Sequence, residues 1–145
     1  MRTPFLLVLC VSLSLSCLAQ NEDRFTIAGF DSDSDFVAFY SHFQSAVRQN
    51  DTLYISSLVT YPAKFTLASA KHLTVKDPKA FFASYSKIFD ARLRNLILSS
   101  AVDSIFANAN GVMLGSGQIW LAVIQTDEGN RSVIWSIDNR DIMYR

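Results

Sequence analysis

The chain has 145 residues, half of them hydrophobic, and equal numbers of basic and acidic side chains. That length fits one domain with a single core. Abundant aromatic and aliphatic residues, with few Gly and Pro, argue against a disordered or fibrous chain, and near-zero charge without a basic stripe argues against nucleic acid as a partner.

The chain opens with Met1-Arg2 and an apolar run from Phe5 to Leu15, then Ser16-Cys17-Leu18-Ala19 before Gln20. A basic start, a short apolar stretch and a small-residue exit predict a secretory signal peptide over 1–19. The run is too short for a permanent transmembrane span. Cleavage after Ala19 removes both cysteines, Cys10 and Cys17, and leaves a single exported domain, 20–145, without thiolate chemistry. An alternative is lipoprotein processing at Cys17, although Ser14 stands where such signals usually carry leucine. The predicted location is periplasmic or extracellular.

Asn21 to Arg24 reads as a polar leader, and Phe25 to Phe30 as a short strand or extended arm. The run Asp31-Ser32-Asp33-Ser34-Asp35 signals a helix start, supplying caps and negative charge for the helix dipole. A helix is predicted from Ser34 to Gln49, with Phe36, Phe39, Tyr40, Phe43 and Val47 on one stripe. Asn50-Asp51 breaks the chain and caps a second helix, Thr52 to Val59, with Leu53, Ile55, Leu58 and Val59 mostly inward. Tyr61-Pro62 ends it.

Lys64–Leu67 and Leu73–Val75 read as two short strands joined by a turn. Asp77-Pro78 starts a third helix carrying Phe81, Phe82, Tyr85, Ile88 and Phe89, with Leu93, Leu96 and Ile97 continuing after a kink near Asp90. The last third is strand-rich: Ile105–Ala109, Val112–Leu114, Gln118–Gln125 and Arg131–Asp138, with a hairpin turn at Asp127-Glu128-Gly129-Asn130. Segregated helices and antiparallel strands predict an α+β domain.

Four segments carry a resemblance: Leu58-Val59-Thr60-Tyr61-Pro62, Phe81 to Phe89, Ala107 to Gly115, and Gly117-Gln118-Ile119-Trp120. With the element order, they make the chain resemble the nuclear transport factor 2-like (SnoaL/ketosteroid-isomerase-like) superfamily, and within it small exported bacterial proteins without an assigned activity. The resemblance implies a cone: N-terminal helices packed on a strongly bent antiparallel sheet, with a pocket between them. Gly111, Gly115 and Gly117 suit the bends of such a sheet. The fold hosts isomerases, dehydratases, ligand binders and adaptors, so it does not assign a function.

Tyr40, Tyr61, Trp120 and Trp135 are the candidate ligand-binding residues, being large aromatics near the expected cone; ordinary core is the competing reading. Isomerases of the resembling fold use a helix-borne tyrosine as oxyanion donor, which would fall to Tyr40. A catalytic partner is not identifiable. Alternation sets Trp135, Ile137 and Asn139 on one face of their strand, and Ser136, Asp138 and Arg140 on the other, which makes Asp138 and Arg140 solvent-side partners. Asp103 reads as a turn residue. His42 and His72 lie on separate elements, so no metal or other cofactor is expected. Asn50-Asp51-Thr52 and Asn130-Arg131-Ser132 match glycosylation sequons and, given the bacterial resemblance, read as chance.

In Gln118–Gln125, Ile119, Leu121 and Val123 alternate with Trp120, Ala122 and Ile124, so both faces of the strand are apolar. A sheet with one wet face would alternate polar and apolar residues. The first helix covers the inner face, and a second copy is the expected cover for the outer one, giving a homodimer; the alternative cover is the arm at Phe25–Phe30. The sequence is thus read as an exported non-catalytic module holding a small apolar or amphipathic molecule in the cone. The alternatives are an interaction domain with a filled core, and an acid–base isomerase or dehydratase.

Overall fold

A computed structural model describes residues 23–140. The segment read as a signal peptide, with Cys10, Cys17 and the expected cleavage after Ala19, lies outside the described residues. Over the described residues the fold is α+β, as expected: four α-helices, a two-stranded hairpin and a four-stranded antiparallel sheet.

Each helix starts where a side chain offers an acceptor to the free amides of the first turn. Ser32 caps α1 (Asp33–Gln49) by accepting from the Asp35 amide, and Asp33 and Asp35 sit at its positive end. Asn50 ends α1 in a left-handed conformation (φ 57°), and Asp51 caps α2 (Thr52–Ser57). Asp77 caps α3 (Pro78–Ile88), with proline in the first turn, where no amide donor is needed. The expected kink near Asp90 is a full break. Phe89 leaves helical geometry and Asp90 caps a separate helix, α4 (Ala91–Ser99), by accepting from the Leu93 amide at 2.9 Å.

Strands β1 (Ala63–Thr66) and β2 (His72–Val75) form the hairpin. Strands β3 (Phe106–Asn108), β4 (Gly111–Leu114), β5 (Ile119–Thr126) and β6 (Gly129–Ile137) follow one another as a meander. The sheet is not strongly curled. The free side of β6 meets the chain before β1 and the end of β1 itself: the Ile134 amide donates to the Leu58 carbonyl and, just past β6, the Asn139 amide donates to the Thr66 carbonyl, both at 2.8 Å. This covers a sheet edge that would otherwise present unpaired backbone groups.

The core lies between the helices and the inner sheet face. Phe36, Tyr40, Phe43 and Val47 of α1 are fully buried, facing Leu93 and Ile97 of α4 and Val112, Leu121 and Ile119 of the sheet within one apolar cluster. Phe25 stacks on Phe36 with ring centres 3.8 Å apart, and Phe30 meets the same ring edge-on.

Three expectations are corrected. The segment around Phe25–Phe30 is neither a strand nor an extended arm but a 3-10 turn, Thr26–Ala28; its aromatics are drawn into the α1 core, while Ala28 borders a groove shared with Ala122 and Trp135 of the sheet. Helix α2 stops at Ser57, before Val59, because Val59 bridges to Ile134 of β6 instead. Leu53 is 73% exposed, since the short helix turns only Ile55 and Ser56 into the core.

Candidate functional site

The structure separates the four sequence-selected aromatics into two pairs. Tyr40 and Tyr61 belong to the helical layer and use their hydroxyls internally. The Tyr40 hydroxyl donates to the Ile97 carbonyl at 2.8 Å and lies 3.2 Å from the Ser100 carbonyl. One turn along α1, Gln44 offers its amide to the same two carbonyls. Burial pushes the Tyr40 pKa up to about 12, against which its polar neighbours Gln44 and Ser100 act weakly. Tyr61 shares a hydrogen bond with the Ser56 hydroxyl at 2.7 Å and sets its ring edge-on to Phe81.

Trp120 and Trp135 come together on the outer sheet face. A bulge in β6 achieves this. Trp120 pairs with Ser136 and Leu121 with Ile134, so Trp135 has no partner in the register. The alternation expected for this strand therefore fails: Ile137 and Asn139 are buried, whereas Trp135 is 64% exposed. An extra residue in one strand re-aims its side chain, and here it turns an indole out of the sheet.

Three open grooves meet at Trp135. One, of about 280 Å³, is lined by Asn110, Trp120, Trp135 and Ser136. A second, of about 250 Å³, runs past the Ala109-Asn110 turn along Ala122 and Ile124. A third, also about 250 Å³, lies towards Thr60, Lys64 and Pro62. Gly111 brings the turn this close. Its φ is 131°, and a Cβ there would lie 2.4 Å from the Leu121 carbonyl oxygen. Only glycine lets β4 approach β5 so tightly.

Among the described residues, none that lines the Trp120–Trp135 groove is ionisable. The side-chain amide of Asn110, the Ser136 hydroxyl and both indole N–H groups make no hydrogen bond to another described residue. Sequence reasoning missed Asn110 and Ser136. Asn110 stood in a glycine-flanked turn, which gave a usable signal; Ser136 was placed opposite Trp135 by an alternation that the bulge breaks.

The remaining polar residues are engaged elsewhere. Asp138 pairs with Arg140, as expected, with Nε donating to Oδ1 at 2.8 Å. That bond holds the Asp138 carboxyl below the ordinary carboxylate range, the opposite of what a general base requires. His42 stacks on Tyr54, and His72 Nδ1 lies 3.2 Å from the Thr66 hydroxyl. Asp103 sits in a 3-10 turn, Val102–Ser104. Among the described residues no three His, Cys, Asp or Glu side chains converge to hold a metal ion, and no helix is long and apolar enough to cross a membrane.

No family model, no curated protein and no solved structure matches this chain.

Proposed function

We propose that the protein is an exported, non-catalytic binding module whose working surface is the outer sheet face around Trp135. The observation that carries this reading is the bulge in β6, which exposes an indole where three grooves meet. A large aromatic left 64% exposed has no role in this domain's own core, and tryptophan is the residue type most enriched where binding energy concentrates. The packing of Phe36, Tyr40 and Phe43 between helix and sheet supports a surface site over an occupant of the interior. The signal-like sequence over 1–19 supports export. The same proposal includes kinship with the nuclear transport factor 2-like superfamily and its cone-shaped fold, a reading supported by the four resembling segments of the sequence.

A thermal-shift panel of metabolites, lipids, peptides and oligosaccharides tests the proposal. A ligand of the native state raises the melting temperature by mass action, by about 2.7 kcal/mol of stabilisation at a hundred times its Kd. A ligand acting at this face shifts the native protein and leaves Trp135→Ala unshifted. A shift that persists in Trp135→Ala moves the site elsewhere and ends the proposal.

A second reading, a homodimer through the same face, is favoured by one row of side chains. Phe106, Met113 and Trp120 follow each other in register across three strands, and Phe106 is 52% exposed. Sedimentation velocity of the native protein and of Phe106→Lys distinguishes it: a dimer that the substitution dissociates supports it, and a monomer at all concentrations removes it.

A further inference from the structure

We propose that the groove between Trp120 and Trp135 binds a neutral sugar ring of an oligosaccharide, stacked on the Trp135 indole. The inference rests on the outer face being the working surface and names the chemistry of its ligand.

The groove makes two demands on an occupant. Its floor is aromatic, and neither indole is stacked on another ring among the described residues, so an apolar, flat partner surface is required. The residues that line it carry hydrogen-bonding groups without partners among the described residues: the Asn110 amide, the Ser136 hydroxyl and two indole N–H groups.

Three ligand classes meet these demands poorly. A lipid chain would satisfy the floor and leave the polar groups covered and unpaired, at about 1–3 kcal/mol for each one buried. A charged metabolite would give up water in a groove whose described lining residues offer no counter-charge. A proline-rich peptide also suits an aromatic groove. Proline, however, lacks an N–H, so such a peptide presents few donors for the Asn110 and Ser136 oxygens. A pyranose meets both demands at once. Its C–H face lies flat on an indole, and its equatorial hydroxyls, each donor and acceptor, reach sideways to the polar groups.

Extent follows from position. At about 280 Å³ the groove holds a ring and not a long chain. The two flanking grooves also border Trp135, so neighbouring rings of an oligosaccharide find space on either side.

The chain provides its own reporter. It has 2 tryptophans, and both line this groove. The experiment is a titration of tryptophan emission in the purified protein with cellohexaose, maltohexaose and chitin hexasaccharide at up to millimolar concentration. Polyproline peptide and an oligogalacturonate serve as proline-rich and anionic competitors. A saturable change with at least one neutral sugar is expected. It should vanish in Trp135→Ala and weaken roughly fivefold in Asn110→Ala, one neutral hydrogen bond being worth about 1 kcal/mol. Asn110→Ala also keeps the test valid should Trp135→Ala fail to fold.

No response to any neutral sugar overturns the proposal. So does a response to polyproline or oligogalacturonate alone; where that response needs Trp135, the outer face survives as the working surface with a different ligand. A sugar response that persists in Trp135→Ala overturns both.

Discussion

The hydroxyl of Tyr40 donates to the main-chain carbonyl of Ile97 across 2.8 Å, joining positions 57 residues apart. Ile97 lies in the last turn of α4, where helix carbonyls lack intrahelical donors. Tyr40 and Gln44, one turn apart on α1, together supply donors to this helix end. The tyrosine that the sequence offers as a ligand or oxyanion group is, in the fold, a side-chain cap between two helices.

Tyr40→Phe keeps the ring packing against Phe36 and removes that donor. We expect a loss of about 1 kcal/mol, because Gln44 continues to serve the same carbonyl. Urea unfolding measures it. A loss above about 3 kcal/mol would mean that the hydroxyl holds more than this helix end.

Stability should fall on the alkaline side. The Tyr40 pKa rises on folding from 10.0 to about 12, and burial also raises those of Tyr54, Tyr61 and Tyr85. A tyrosine with a raised folded-state pKa binds its proton more tightly when folded. Its contribution is complete below pH 10 and is lost as the pH climbs towards 12. Melting temperatures followed from pH 9 upward should decline through this window, more steeply in the native protein than in Tyr40→Phe. Parallel declines would remove Tyr40 as a cause.

Trp135→Ala should leave stability within about 0.5 kcal/mol of the native value, as for a surface substitution. Phe36→Ala should cost about 3–5 kcal/mol by opening a cavity in the core. Acrylamide should quench the emission of the native protein readily through Trp135. A strongly shielded emission in a monomeric sample would contradict the exposed indole.

Gly111→Ala combines a φ of 131° with a methyl group 2.4 Å from the Leu121 oxygen. The backbone must shift, and the expected cost exceeds about 1 kcal/mol. Gly129→Ala is the control, because its φ of 114° carries similar strain but no atom lies within 4 Å of the added carbon. Equal losses at both positions would assign the whole effect to φ and none to the contact with β5.

Asp90→Ala should cost about 1 kcal/mol through the lost cap on α4. Asp90→Asn should recover most of it, since an amide oxygen can still accept from the Leu93 amide. Thermal denaturation of the pair reads both effects; failure of the asparagine variant to recover would point to charge, acting on the helix dipole, as the main contribution.

The sequence by itself determined the helix starts, the hairpins and the α+β class, because these depend on contacts within a few residues. Asp77-Pro78 and Asp51 mark helix starts locally, and Asp127-Glu128 closes a hairpin between apolar runs. The break at Asp90 and the early end of α2 were less legible, since Val59 leaves the helix for a partner 75 residues away. Tertiary structure alone decided the candidate site. Tyr40 and Trp135 look alike as aromatics on periodic elements. One is buried because α4 lies over it, and the other is exposed because β6 carries one residue more than β5 across the same stretch. A one-residue bulge leaves almost no trace in composition or periodicity, yet it reverses the direction of a side chain. Asn110 and Ser136 join Trp120 and Trp135 only through strand register, which pairs residues far apart in the chain.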